Sequence, residues 1–307
     1  MRRWIVLWRC IAAAMTTVSQ ASDWPTYLND PGRSAVTAEA VAPSGSPAWV
    51  WAGSPPSPGF YPELRKNTLG VQQLLAPSLT YDFASALVVA GGRIYFNSST
   101  EEAVFCHDAR RGARLWACFT EGAVRFAPSV VDGRVYFGSD DGCVYCLDAA
   151  TGRQVWKYNA APHPRAIIAN GRMASQWPIR TSVTIAGGVA YFSAGLFPAD
   201  GGVFLIALQA ADGAEVWRQS IPTPALGYLL VADGTLFVPT GRAAPAEYSP
   251  KDGSLLANPV RTIRGEGGGG MIPARGLGIG RFIQDGAHVA GDGRRVWQAE
   301  ALTFPQH

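Results

Sequence analysis

Residues 132–156 read DGRVYFGSDDGCVYCLDAATGRQVW, and this stretch decides the fold because a similar one precedes it. Residues 91–116 read GGRIYFNSSTEEAVFCHDARRGARLW and match along their whole length, with one extra residue in the first loop. Each copy has a glycine turn, an apolar strand, a polar loop, a second apolar strand and a second glycine turn before a tryptophan. The chain therefore contains an internal repeat of about 40 residues.

The second glycine turn can be followed through five copies of the repeat. Its glycines are separated by 40, 61, 40 and 40 residues, so about 21 extra residues lie between the second and third copies. Upstream, Gly45 is followed by Trp49 at the same four-residue spacing, which predicts a lone outermost strand before the first complete unit. The five pairs are Gly112 and Trp116, Gly152 and Trp156, Gly213 and Trp217, Gly253 and Ala257, and Gly293 and Trp297.

The composition of the repeat favours strands over helices. Segments such as RVYFGS at 134–139 and CVYCLD at 143–148 are rich in Val, Tyr and Phe and lack the periodicity of a helix. Repeats of about 40 residues with several short strands are typical of four-stranded propeller blades. We therefore predict an all-β fold, a β-propeller that shows four to five units. These units lie at about 80–122, 123–160, 181–220, 226–260 and 275–298, with an insertion at 161–180.

Residues 144–156, VYCLDAATGRQVW, make the resemblance to a known family specific. They resemble the repeat of the pyrroloquinoline-quinone (PQQ) superfamily, in which blades run Y-A-L-D-A-x-T-G-x-x-x-W and the Trp packs between neighbouring blades. The blade type is also similar to that of the BamB propellers of outer-membrane protein assembly. Propellers of this family close with seven or eight blades. The chain is therefore shortened, forms a small ring, or is completed by another chain.

Composition excludes some partners. The chain is 48% hydrophobic and 16% charged, with 35 Gly and 22 Pro, as expected of a globular protein with many turns. A net charge of +3 is too small to suggest nucleic acid as a partner. We expect a protein, a small molecule or a carbohydrate as the partner instead.

The N-terminus has the pattern of a signal peptide. Residues 1–3 read MRR, an apolar run extends from 4 to about 18, and Ser19 and Ala21 supply the small residues of a cleavage site. A membrane anchor is the alternative interpretation of residues 1–21. We predict that residues 22–307 form a single propeller domain that is periplasmic or secreted and has no transmembrane segment after cleavage.

Cys143 and Cys146 are close enough in sequence to suggest a metal or redox site. On one strand, however, residues three apart point to opposite faces with Cα atoms about 10 Å apart, whereas a disulfide needs about 7 Å or less. In the repeat, Cys146 aligns with Cys106 and Ala207. We therefore predict a packing role for both thiols. A disulfide with another cysteine, or a metal or redox pair, are the alternatives.

The resemblance to the PQQ enzymes implies a cofactor that this sequence can be tested for. Those enzymes hold the quinone between a Trp and a disulfide of adjacent cysteines, beside a calcium ion, with an Asp as base. No two cysteines are adjacent here. We therefore predict no cofactor and no metal, while the resemblance leaves PQQ open. No catalytic residues are predicted, because no nucleophile triad, phosphate-binding loop or carboxylate pair is evident.

Residues 161–180, APHPRAIIANGRMASQWPIR, break the repeat and carry the candidate binding site. Propellers place functional residues on such loops. Arg165, Arg172, Trp177 and Arg180 are suited to a carboxylate, phosphate or sugar through bidentate hydrogen bonds and stacking. An ordinary connection between blades is the alternative.

The sequence as a whole predicts an exported, non-catalytic binding or scaffold module of the cell envelope. The alternative is a PQQ- or quinone-dependent oxidoreductase, including a degenerate one. Fold alone does not decide between them, because propellers of one blade type host unrelated functions.

Overall fold

The computed structural model describes residues 22–39, 47–53, 86–169, 172–199, 201–239 and 245–257, and the backbone of two strands between 289 and 298. Within these residues the chain forms β-strands and no helix. The predicted all-β fold class is confirmed. The predicted signal peptide, residues 1–21, lies outside the described residues.

Sixteen strands form four four-stranded antiparallel sheets, and strands adjacent in sequence are adjacent in each sheet. We call these sheets blades 1 to 4. Blade 1 contains β1 (Leu87–Ala90), β2 (Arg93–Ser98), β3 (Ala103–Asp108) and β4 (Arg114–Phe119), and blade 2 contains β5 (Ser129–Val131), β6 (Arg134–Gly138), β7 (Cys143–Asp148) and β8 (Gln154–Asn159). After a hairpin of β9 (Ala166–Ala169) and β10 (Arg172–Ser175), blade 3 contains β11 (Thr184–Ala186), β12 (Val189–Ala194), β13 (Val203–Gln209) and β14 (Glu215–Ile221). Blade 4 contains β15 (Leu230–Ala232), β16 (Thr235–Val238), β17 (Ala246–Tyr248) and β18 (Leu255–Ala257), and the last hairpin pairs β19 (Val289–Gly291) with β20 (Val296–Gln298).

The blades pack around a common axis. Their first strands are the innermost, because β1 contacts β5, β5 contacts β11, and β11 contacts β15. Each of the three largest apolar clusters lies between two consecutive blades, the first joining blades 1 and 2 through Val104 and Phe137, for example. Meander sheets packed in this way are propeller blades. The predicted β-propeller of four-stranded, 40-residue blades is confirmed.

Each interface between described blades is fixed by a tyrosine and a tryptophan that share one acceptor. Between blades 2 and 3, Tyr136 Oη and Trp156 Nε1 each donate a hydrogen bond of 3.1 Å to the Ala210 carbonyl. Tyr95 and Trp116 donate to Ala149 in the same way, as do Tyr191 and Trp217 to Pro250. The acceptor always follows the end of the third strand of the next blade.

The turn glycines complete these interblade docking sites. The backbone at Gly152 has φ +70°, and a Cβ atom there would lie 2.6 Å from the indole ring of Trp116. Gly213 meets Trp156 and Gly253 meets Trp217 in the same way. Glycine is therefore required both for the left-handed backbone and for the approach of the ring.

Blade 4 departs from this pattern on its far side. Phe237 occupies the position of the docking tyrosine and Ala257 that of the tryptophan, as the strand registers show. At these two positions blade 4 therefore has neither the phenolic hydroxyl nor the indole donor of the other described blades. In that unit, Ala290 pairs with Trp297 across β19 and β20, and the predicted turn glycine Gly293 lies outside the described residues.

The upstream tryptophan repeats the docking geometry without a strand. Trp49 donates to the Ala109 carbonyl at 2.9 Å, and its ring lies against Gly112. The described residues 47–53 contain no strand, so the lone strand expected around Trp49 is absent from this segment. The spacing of Gly45 and Trp49 therefore predicts the docking role but not the secondary structure.

Residues 22–39 lie against the innermost strands of three blades. Trp24 bridges to Val89 of β1, and the Pro25 carbonyl accepts a bond from Val130 of β5. The Pro31 carbonyl accepts from Val231 of β15. This segment thus contacts the inner strands of blades 1, 2 and 4 directly.

Arg33 anchors this segment and is fully buried. Its guanidinium donates to the Leu229 carbonyl, the Tyr27 carbonyl and the hydroxyls of Thr26, Ser182 and Thr184, at 2.7 to 3.3 Å. All five N–H donors of the side chain can be used by these acceptors. Burial lowers the Arg33 pKa to about 10.

Candidate functional site

The insertion between blades 2 and 3 lies on the loop between β6 and β7. Ser175 N donates to the Asp140 carbonyl at 2.8 Å, and Ile179 N donates to the Ser139 carbonyl at 3.1 Å. Gly142 permits this approach, because a Cβ atom there would lie 2.7 Å from Ser175 Oγ. The β9–β10 hairpin is therefore held against blade 2 by main-chain bonds.

Arg172 fastens the same hairpin to blade 1. Its Nη1 atom donates to the carbonyls of Ser99 and Thr100 and to a Glu102 carboxylate oxygen, at 2.9 to 3.1 Å. The Glu102 pair is about one-third exposed, so its charge contributes little stability. These acceptors belong to the β2–β3 loop, and the insertion thus bridges the same end of blades 1 and 2.

Trp177 and Arg180 are both buried in the interior. Trp177 is 4% exposed, and its Nε1 atom donates to the Gly201 carbonyl at 3.0 Å. Arg180 is also buried, and its carbonyl accepts a bond from Gly227 N. Of the four predicted residues, only Arg165 is exposed.

Two clefts flank the start of the insertion. The first, of about 530 Å³, lies between the insertion and blades 1 and 2, and the second, of about 650 Å³, lies towards blade 3. His163 and Arg165 line both clefts and separate them. The structure thus brings Arg165 and Trp177 together at the second cleft, whereas Arg172 and Arg180 line neither of these two clefts.

The first cleft contains charges of both signs. Lys157 and Arg165 lie on its wall with Glu121 and Asp141. The Lys157 ammonium stands 4.8 Å from the ring centroid of Tyr145, a cation–π distance. Asp141 accepts bonds from Tyr145 Oη and Cys143 N, so its carboxylate is already bound within the fold. Lys157 and Arg165 are therefore the side chains best placed to bind an anionic group.

Sequence reasoning did not select Lys157 or His163. Lys157 lies within a repeated strand, where the pattern gives it no distinction from other exposed positions. His163 follows a proline in the insertion and makes an edge contact with Trp177 at 6.2 Å between ring centroids. Its place in the only long insertion between repeats was the available signal.

The cysteines are packed as single thiols. Cys143 belongs to the cluster between blades 1 and 2, and Cys146 to the cluster between blades 2 and 3, so the two point to opposite faces of β7. Cys106, Cys118, Cys143 and Cys146 are all free. Burial raises the pKa of Cys143 to about 12 and of Cys146 to about 11, which keeps both protonated at neutral pH. The predicted packing role is confirmed, and the alternative of a disulfide is wrong for these four residues.

The described residues do not fit the cofactor arrangement of the PQQ enzymes. They contain no adjacent cysteines, and no three His, Cys, Asp or Glu side chains among them are grouped to hold a metal ion.

In the same part of the chain, no helix has the length and apolar character to cross a membrane.

A family model described as outer membrane protein assembly factor BamB, of the PQQ_2 type, matches residues 75–158 and 166–262. These ranges cover more than half of the 307 residues and contain blades 1 to 4 except for Asn159 at the end of β8. The chain belongs to this PQQ-repeat family. The resemblance inferred from the repeat is confirmed, and the gap between the matched ranges, residues 159–165, covers the end of β8 and the start of the insertion.

Relatives of the PQQ-repeat family carry two different names. BamB of Yersinia pestis is 24% identical over 176 residues, 54% of this chain and 41% of that protein. BamB of Xanthomonas campestris is 36% identical over 99 residues, 32% of this chain and 22% of that protein. Tetrathionate hydrolase of Acidianus ambivalens is 29% identical over 126 residues, 41% of this chain and 22% of that protein. The chain thus matches at most 41% of the length of these relatives.

Among solved structures, a europium-containing methanol dehydrogenase is similar to this PQQ-repeat chain. Its TM-score is 0.49 and its sequence identity 12%, over 76% of this chain and 48% of that one.

Proposed function

We propose that this chain is an exported propeller of the cell envelope that acts as a non-catalytic binding or scaffold module. Membership of the BamB-like family supports this proposal, as does the assembly role in the name of two relatives. The leader at residues 1–21 and the periplasmic or secreted location are part of the same proposal. The partner is a protein of outer-membrane assembly.

The observation that carries the proposal is the way the insertion is built. Its hairpin is bound to the β6–β7 loop by main-chain bonds and to the β2–β3 loop by Arg172. It thereby holds Arg165 and His163 at the mouths of two clefts, beside Lys157. A preorganised surface of this kind binds a partner at a low cost in ordering.

Ile168 and Met173 add an apolar element to this surface. They face each other across the hairpin and are 79% and 59% exposed. Apolar side chains rimmed by Arg and Lys are typical of protein interaction sites. A protein surface with an acidic rim is therefore the partner that the insertion fits best.

Site-specific photocrosslinking in cells that express the chain tests the proposal. A photoreactive residue at Ile168 should form an adduct with a component of outer-membrane assembly, and Arg165→Ala with Lys157→Ala should reduce the yield at least tenfold. The same probe at Val216, on the exposed edge of blade 3, is the control and should form no such adduct. Equal adducts from both positions, or none from Ile168, would contradict the proposal.

The alternative function is an oxidoreductase, including a degenerate one, that uses PQQ or another quinone. The tetrathionate hydrolase relatives add a hydrolase as a separate catalytic possibility to test. Purified protein with PQQ and calcium should show no quinone binding and no dye reduction, and tetrathionate should remain unconsumed. Turnover in either assay would overturn the non-catalytic function. Crosslinking at Ile168 is independent of this result.

A further inference from the structure

β4, the outermost strand of blade 1, is an apolar edge. Five consecutive residues, 115–119, read LWACF, and Leu115 and Phe119 are 48% and 66% exposed. Within the described part of the chain, β4 pairs only with β3, so its outer edge carries no ladder. Proteins usually protect such edges with charged residues, because unpaired backbone groups bind other strands.

The equivalent outermost strands of blades 2 and 3 do carry a charged residue of this protective kind. The position of Ala117 is occupied by Lys157 in β8 and by Arg218 in β14, as the registers with the third strands show. The position of Phe119 is occupied by Asn159 and Ser220. Blade 1 therefore has Ala117 and Phe119 at the two places where blades 2 and 3 have a charged and a polar residue.

The backbone of β4 is oriented for pairing at the same two residues. Thr120 N donates to the Glu102 carbonyl, so the N–H and C=O groups of Ala117 and Phe119 point away from β3. These groups face outward, next to the exposed Phe119 side chain. They form a template for an added antiparallel strand.

The charges at the two ends of β4 indicate which strand fits. Arg110, Arg111 and Arg114 lie at its start and Glu121 follows its end, and all four side chains are exposed. When two copies of β4 pair antiparallel, the basic start of one lies beside the acidic end of the other. A parallel pairing would place like charges together. The strand is thus complementary to itself.

We propose that two copies of this chain dimerise by antiparallel pairing of their β4 strands. The dimer joins blade 1 of each copy into an eight-stranded sheet across a twofold axis, with Ala117 and Phe119 at its centre. The interface is isologous, as is common in homodimers. It lies on the outer edge of blade 1, next to the first cleft that Glu121 also lines, and leaves the second cleft to another partner.

The oligomeric state of the full chain, measured by sedimentation or light scattering over a range of concentrations, tests this proposal. The wild type should reach twice the mass of the 32.6 kDa chain, and Ala117→Lys with Phe119→Asn, which copies blade 2, should remain monomeric. Ser220→Lys in β14 is the matched control and should dimerise like the wild type. Circular dichroism and melting temperature should be unchanged in both variants.

Crosslinking distinguishes this dimer from any other. In a Cys118→Ala background, Ala117→Cys should be joined between copies by a short bismaleimide, because the two residues lie near the twofold axis. A monomeric wild type at every concentration would overturn the proposal. A dimer that persists in the Lys/Asn variant, or that fails to crosslink at residue 117, would overturn it as well.

Discussion

Gly152 shows how one residue type specifies a contact between blades. Its φ of +70° and the 2.6 Å separation of a would-be Cβ atom from Trp116 are two separate demands on the same position. Gly133 shares the first demand, with φ +69°, but a Cβ atom there would meet nothing within 4 Å. A comparison of Gly133 with Gly152 therefore separates the cost of backbone strain from the cost of disturbed packing between blades.

Gly133→Ala should lower the free energy of unfolding by about 1 kcal/mol, the cost of a left-handed backbone. Gly152→Ala should cost about 1–3 kcal/mol more, because Trp116 must move away from the new methyl group. Urea denaturation of the two variants measures the difference. Equal costs would show that packing of the Trp116 ring does not require a glycine at position 152.

At the residue scale, the sequence was most informative where residues repeat. The spacing of Gly152 and Trp156, recurring elsewhere, predicts which residues dock between blades. Arg33 could not be found in this way, because it occurs once and its acceptors are as far away as Leu229. The role of Trp177 was equally hidden, since only the fold shows that its indole is bound to Gly201.

At the scale of the element, the strands of a blade carry a pair of donors to a shared carbonyl. Tyr136 from β6 and Trp156 from β8 converge on Ala210, so the second and fourth strands of blade 2 are both tied to blade 3. The register shift between Cys146 and Leu147 leaves Val155 without a partner just before the tryptophan. Such bulges re-aim a side chain, here the indole.

Tyr136→Phe should lower the free energy of unfolding by about 0.5–1.5 kcal/mol, the net value of one hydrogen bond. Trp156→Phe should cost about 1–3 kcal/mol, since packing is lost as well. The double variant should cost more than the sum, because the buried carbonyl then loses both donors. A double-mutant cycle by urea denaturation measures the coupling, and strict additivity would contradict the shared-acceptor geometry.

The insertion is the element that sequence reasoning predicted only in outline. Its position followed from the interval of 61 residues between Gly152 and Gly213. Its attachments did not, because Arg172 binds main-chain carbonyls at Ser99 and Thr100, more than 70 residues away. Carbonyl acceptors carry no sequence signature, so the three arginines were indistinguishable before the fold was known.

At the scale of the whole molecule, the short segment 22–39 connects several blades. Through Arg33 it contacts residues that precede or belong to the inner strands of blades 3 and 4, and through Trp24 and Pro25 it contacts blades 1 and 2. A buried guanidinium without a carboxylate partner in direct contact is tolerated because its donors are hydrogen-bonded. The segment therefore makes contacts with all four described blades.

Arg33→Ala should lower the free energy of unfolding by about 2–5 kcal/mol, because two buried carbonyls and several hydroxyls lose their donor. Arg153→Ala, on an exposed turn, is the control and should change it by no more than about 0.5 kcal/mol. Urea denaturation followed by circular dichroism measures both. Equal effects of the two variants would show that Arg33 and the segment 22–39 do not stabilise the blades.

The docking sites between blades have a consequence for how such a chain can change over generations. Each site presents a main-chain carbonyl and a glycine, and blades 1 to 3 each deliver the same two donors, so these three units are interchangeable at their junctions. An in-frame duplication or deletion of one whole unit in the gene would create a junction chemically the same as those already present. Blade number can therefore drift between descendants while every remaining junction keeps its chemistry.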